Sequence, residues 1–171
     1  TGGGNTSGNV AVGQNASYHV GRDNNNSYGN TQVGTEAGYY TTGSFNTFFG
    51  FKSGRGGTTS APYSSGQNNT AIGYQALDNF TTGYQNVAIG QGAGGGLSTG
   101  FKNTAIGAGA LISDDVGAGH VAIGPGALQL QDFASVNNEW EANVAIGNKA
   151  AYSNTTGNMN IVIGTAAKYT D

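Results

Sequence analysis

Cysteine is absent from the 171 residues, so neither disulfides nor thiolate metal sites hold this chain together. Proline occurs only twice and tryptophan once. Charged residues make up only 9%, too few for long amphipathic helices with ion-paired faces. The net charge of −3 and the lack of any Lys/Arg cluster argue against nucleic acid or an anionic membrane surface as a partner. No apolar run approaches the length of a membrane span. With no composition break along its length, the chain reads as a single domain.

Glycine is abundant instead, at 32 residues, together with Asn, Ser and Thr. Such a composition can signal disorder. Here the small and polar residues keep register with an aliphatic column, which signals order. The unit is clearest at Asn69-Thr-Ala-Ile-Gly-Tyr-Gln-Ala76, and nine copies begin at Asn9, Asn30, Asn46, Asn69, Asn86, Asn103, His120, Asn143 and Asn160. Their spacings are 21, 16, 23, 17, 17, 17, 23 and 17 residues. Short internal repeats mean stacked units that bury their apolar faces against neighbours. The expected fold is therefore all-β, a parallel β-roll or β-solenoid of nine coils of about 17 residues, spanning 1–171. At about 4.8 Å per coil the stack is about 43 Å long.

Residues two to four of each unit alternate faces, as on a short strand. The fourth position holds Val12, Val33, Phe49, Ile72, Ile89, Ile106, Ile123, Ile146 and Ile163, read as a continuous buried core column. The third position is mostly Ala and points the other way, as if made for close approach by another copy of the same surface, which predicts a homotrimer; the alternative is a wide monomeric solenoid that uses the Ala face internally. Gly at position five ends each strand, where a corner needs positive φ or close contact. A second Gly three residues before most Asn positions predicts a second strand per coil. The terminal coils read as cut from a longer periodic array.

The NVAIGxxA and NTAIGxxA units resemble the head repeats of trimeric autotransporter adhesins, which read like NSVAIGxxS. The stretch NTAIGYQALDNFTTGYQNVAIG, from Asn69 to Gly90, is similar to repeats in bacteriophage tail fibres and large bacterial surface proteins. The resemblance covers nearly the whole chain. It implies a left-handed roll, an intertwined homotrimer, an extracellular location on a virion or bacterial surface, and a fibre that touches a host receptor. The coil length and the Ala in place of Ser favour the phage type over the adhesin head.

Local function is expected where the repeat is interrupted, since loops on a rigid scaffold are common binding positions. Insertions fall at 17–29, 54–68 and 128–142. They supply the candidate ligand-binding residues Tyr18 and His19, Arg55 and Tyr63, and Glu139, Trp140 and Glu141. A lone Trp between two carboxylates suits stacking on a sugar face while the acceptors hold its hydroxyls, although packing of the insertion onto the roll is the preferred reading of Trp140. The aromatic residues around Asn46 (Tyr39, Tyr40, Phe45, Phe48, Phe49, Phe51) read as a locally widened core before a receptor patch.

Catalytic and metal motifs are weak. Gly90-Gln-Gly-Ala-Gly-Gly95 matches a dinucleotide fingerprint, but other coils replace it freely and no helix follows. Asp114, Asp115, Asp132, Glu139 and Glu141 read as solvated turn acids; convergence between chains would make a glycan depolymerase. His19 and His120 share no metal motif. No cofactor is implied. The outward Thr31, Thr47, Thr70 and Thr104 raise an ice-binding solenoid, ranked last because Val and Ile interrupt the column. The expected function is non-enzymatic: a structural segment of an attachment fibre presenting loops to a surface glycan or protein.

Overall fold

A computed structural model describes residues 8–20, 27–57, 63–132 and 142–168. Each copy of the repeat contributes one three-residue strand: β1 (Val10–Val12), β2 (Thr31–Val33), β3 (Thr47–Phe49), β4 (Thr70–Ile72), β5 (Val87–Ile89), β6 (Thr104–Ile106), β7 (Val121–Ile123), β8 (Val144–Ile146) and β9 (Ile161–Ile163). They form one parallel sheet in chain order, a β-solenoid of about eight turns. Equivalent positions pair across every step, as Ala71 with Ala88 and Ile72 with Ile89. The expected second strand does not form among the described residues. The Gly-containing legs add only two isolated parallel bridges, Thr41 with Ser64 and Phe101 with Ala118.

The two faces of the sheet are the reverse of the expectation. The Ala column points into the coil: Ala71, Ala88, Ala105, Ala122 and Ala145 are fully buried. The column expected as the core points outward. Val12, Phe49, Ile72 and Ile163 are 56%, 57%, 38% and 67% exposed. Val33, Ile89, Ile106, Ile123 and Ile146 are half-buried. Interior volume explains the reversal. A coil of about 17 residues has a narrow lumen, and larger apolar groups enter it from the corner opposite the strand, namely Leu77, Leu111 and Leu128. An aliphatic column from the strand as well would overfill it.

In five of the coils size is balanced between the inward strand residue and the residue six positions later; in the fifth coil, where Ala88 meets Gly94, Leu97 fills the space. Ala71, Ala105 and Ala122 face Leu77, Leu111 and Leu128. Where the strand contributes Phe48 or Gln32 instead, the corner carries Gly54 or Gly38, and a Cβ there would collide with the larger side chain. Phe48 packs on Phe80 at 5.6 Å between ring centroids. Of Phe45, Phe48, Phe49 and Phe51 near Asn46, only Phe48 enters the core, and Gly54 makes room for it. Phe49, Phe51 and Phe45 lie outside.

The Asn that opens each of the units at 30, 46, 69, 86, 103 and 143 is buried and stitches coils together. Asn86 Oδ1 accepts from the backbone N–H of Asn103 at 3.0 Å, and its Nδ2 donates to the Gly100 carbonyl at 2.8 Å. The same pair of bonds recurs at Asn30, Asn46, Asn69, Asn103 and Asn143. Gly43, Gly66, Gly83, Gly100, Gly117 and Gly157, each three residues before the residue that opens the next unit, are the acceptor stations of this ladder. The fifth-position Gly stacks equally tightly: at Gly73 (φ +129°) an added Cβ would lie 2.8 Å from the Gly90 carbonyl oxygen.

Candidate functional site

The residue nine positions after each repeat Asn sits on the corner opposite the strand, and successive coils align these residues in one row. In chain order it reads Tyr18, Tyr39, Arg55, Asp78, Gly95, Ile112, Gln129 and Tyr152. The ladder beneath joins neighbouring coils. Tyr40 N donates to the Arg55 carbonyl at 2.7 Å, and Gly56 N donates to that of Asp78 at 3.1 Å.

At its early end the row is aromatic. Tyr18 and Tyr39 stack face to face with centroids 4.9 Å apart and planes 4° apart, one coil spacing. Alongside, His19 stacks on Tyr40 at 5.3 Å, and Tyr63 closes on His19 at 4.1 Å. Three candidates from two insertions thus meet in one cluster, joined by Tyr39 and Tyr40. Tyr18 is 44% exposed, whereas His19 is nearly buried between rings.

Arg55, the fourth candidate, follows Tyr39 in the row. Its Nε and Nη2 donate to the two carboxylate oxygens of Asp78 at 3.0 and 3.4 Å. Burial raises the Asp78 pKa from its ordinary value, opposed by the Arg55 charge beside it. Asp78 escaped the sequence reading because it carries no motif. The signal that would have found it is its place in the same row as Tyr18 and Arg55.

Glu139, Trp140 and Glu141 lie outside the described residues, as does the rest of the third insertion between 133 and 141. Among the described acids, Asp115 and Asp132 are exposed as expected. Asp114 is not a solvated turn acid. It is fully buried, its Oδ1 accepts from Gly117 N at 3.0 Å, and its Oδ2 lies 3.4 Å from His120 Nε2. His120 takes the Asn position of its coil, with Nδ1 accepting from Asn143 N at 2.9 Å. Burial lowers its pKa to about 4. No group of metal-ligating side chains occurs among the described residues, and no helix there is long and apolar enough to cross a membrane. Compared with family models, curated proteins and solved structures, the chain finds no match.

Proposed function

We propose that this chain is a structural segment of a homotrimeric attachment fibre of the phage tail-fibre kind, whose insertions contact a host-surface glycan or protein. The observation that carries this reading is the outward face of the sheet. Nine strands in strict register present two parallel columns, Val or Thr beside Ile, Val or Phe, on one side of a stiff ladder. Val10, Val12, Phe49, Ile161 and Ile163 are each more than half exposed in the single chain. An apolar stripe that is exposed at Phe49, Ile72 and both end strands and only half-buried from Ile89 to Ile146 calls for a partner. A second and third copy, matching coil for coil, cover it without breaking the period. The trimer core proposed here is thus the aliphatic face, since the Ala face is already filled within each chain.

A bacterial trimeric adhesin head would use the same face, and the two readings share the extracellular location. The depolymerase reading loses Asp114, which is committed to the coil interior with His120. Light scattering behind size exclusion, over a range of concentrations, tests the fibre reading. A molar mass three times the 17.2 kDa of one chain is expected. A persistent monomer overturns it.

A further inference from the structure

The row on the corner opposite the strand has one vacancy. Among the described residues every other coil carries a side chain there, but the fifth has Gly95, next to Gly96 and three residues after Gly92. The missing side chains open a notch of 220 Å³ between the fourth and sixth coils. One wall is Gln75, Asp78 and Asn79; the other is Ile112; Gly92 and Gly95 form the floor.

The walls differ in chemistry. Asp78 is only 7% exposed, yet its carboxylate borders the notch while Arg55 holds it from the opposite coil. Its Oδ2 is engaged at long range, by Arg55 Nη2 at 3.4 Å and Gln75 Nε2 at 3.5 Å, so it retains acceptor capacity. Asn79 is anchored through Nδ2 to the Gly95 carbonyl at 3.0 Å, which leaves its Oδ1 as an acceptor. Ile112 supplies an aliphatic surface. Acceptors facing an aliphatic wall, with a glycine floor permitting close approach, match a ring that has hydroxyls on its edge and C–H bonds on its face.

We propose that this notch receives one ring of a neutral saccharide, whose adjacent hydroxyls donate to Asp78 and whose C–H face lies on Ile112. The volume is below the roughly 300–1,000 Å³ of sites for drug-sized ligands, so a single ring is what fits. Neutral sugars are favoured because the cations that act on the wall are already engaged, Arg55 with Asp78 and Lys52 with Glu36, and the carboxylate repels acidic sugars. The aromatic end of the same row lies three coils from the notch, about 14 Å away at the coil spacing. Neighbouring units of a linear glycan could therefore extend from the notch toward Tyr39. The proposal rests on the attachment reading of the chain.

Gly95 makes a clean test. Its φ is not in the left-handed region. A Cβ there would meet Gly92 O at 3.2 Å, Ile112 Cγ1 at 3.5 Å and Gly92 C at 3.8 Å, so the Gly92 backbone must give by a few tenths of an ångström. Because Gln129 occupies the equivalent place two coils on, Gly95→Gln restores the row, and its melting temperature is compared with that of the natural chain to show that the coil holds. The native oligomer is applied to an array of neutral oligosaccharides built from glucose, galactose, mannose, rhamnose and N-acetylglucosamine, with sialylated oligosaccharides alongside, and retained glycans are titrated by calorimetry. Binding to a neutral glycan is expected, weakened by about tenfold or more in Gly95→Gln and in Asp78→Asn, and unchanged in Gln129→Ala. Retention of no neutral glycan, preference for the sialylated set, or undiminished binding by Gly95→Gln overturns the proposal. A three-chain molar mass without glycan binding removes the notch and spares the fibre; glycan binding that Gly95→Gln abolishes in a stable monomer does the opposite.

Discussion

His120 is the one ladder position where an amide is replaced by a group that titrates. Its Nδ1 accepts the Asn143 N–H, so that nitrogen must stay unprotonated for the ladder to continue. Its Nε2 faces Asp114 Oδ2 at 3.4 Å and is the nitrogen that carries the proton. Charging the ring would set an N–H against the Asn143 N–H inside a buried coil, which agrees with a pKa lowered by burial to about 4. The unfolded chain, with an ordinary histidine near 6.5, then binds a proton first, and acidification favours unfolding. This contribution is intact above about pH 6.5 and is lost as pH falls toward 4, a change of about 3 kcal/mol. Asp78 acts in the opposite sense, because its raised pKa makes the folded chain the better proton acceptor. Comparison with His120→Asn separates the two, since Asp78 is common to both proteins. Denaturant titrations at pH 7 and pH 4.5 are expected to show a fall in stability for the natural chain that His120→Asn largely lacks. An equal fall in both would show that His120 is not the acid-sensitive joint.

At the scale of the coil, strands, corners and periodicity were legible in the sequence, and the facing of the strand was not. Alternation in Thr-Ala-Ile identifies two faces without saying which is inside. Assigning the larger aliphatic to the core fails because the lumen is filled from the far corner by Leu77, Leu111 and Leu128. The decisive clue was available in Phe48 with Gly54 and Gln32 with Gly38. A large residue at the third position matched by Gly six residues later shows that those two positions share the interior. The repeat Asn was given no role in the sequence reading, since its function depends on a carbonyl in the next coil that only stacking brings near. In the candidate row, Tyr18 and Arg55 were chosen one insertion at a time. Their alignment emerges only when coils of unequal length are superposed by their Asn. Two substitutions probe the coil. Asn86→Ala leaves the buried Asn103 N–H and Gly100 carbonyl without their partner and is expected to cost about 2–4 kcal/mol. Gly73→Ala forces a Cβ against the Gly90 carbonyl at an unfavourable φ and is expected to cost about 3–5 kcal/mol. Chemical denaturation measures both; a loss below about 1 kcal/mol for either would mean the coils do not interlock as described.

For the molecule as a whole, the question is whether a stack this narrow is stable alone. Its interior is built mainly from Ala, with Phe48, Leu77, Phe80, Leu97, Leu111 and Leu128 as its large apolar groups, while many of its largest aliphatic side chains lie on the outer face. Burying an Ile or Val side chain is worth roughly 1.5–3 kcal/mol, so covering that face in a trimer would add an apolar core comparable to the one inside each chain. Folding and association should then be linked, with a melting temperature that rises with chain concentration. The two faces also predict different outcomes for mutation. Ile106→Lys with Ile123→Lys places charges on the outer face of β6 and β7, leaving the Ala ladder and the Asn bonds untouched. This variant is expected to lose the three-chain mass and the concentration dependence of melting. Ala105→Leu instead crowds Leu111 inside the coil, and is expected to lower stability by about 1–3 kcal/mol while the assembled fraction keeps its trimeric mass. Light scattering and melting curves at several concentrations read both effects. If the lysine pair leaves mass and melting unchanged, the outer face is not where chains meet, and its apolar columns would need another occupant.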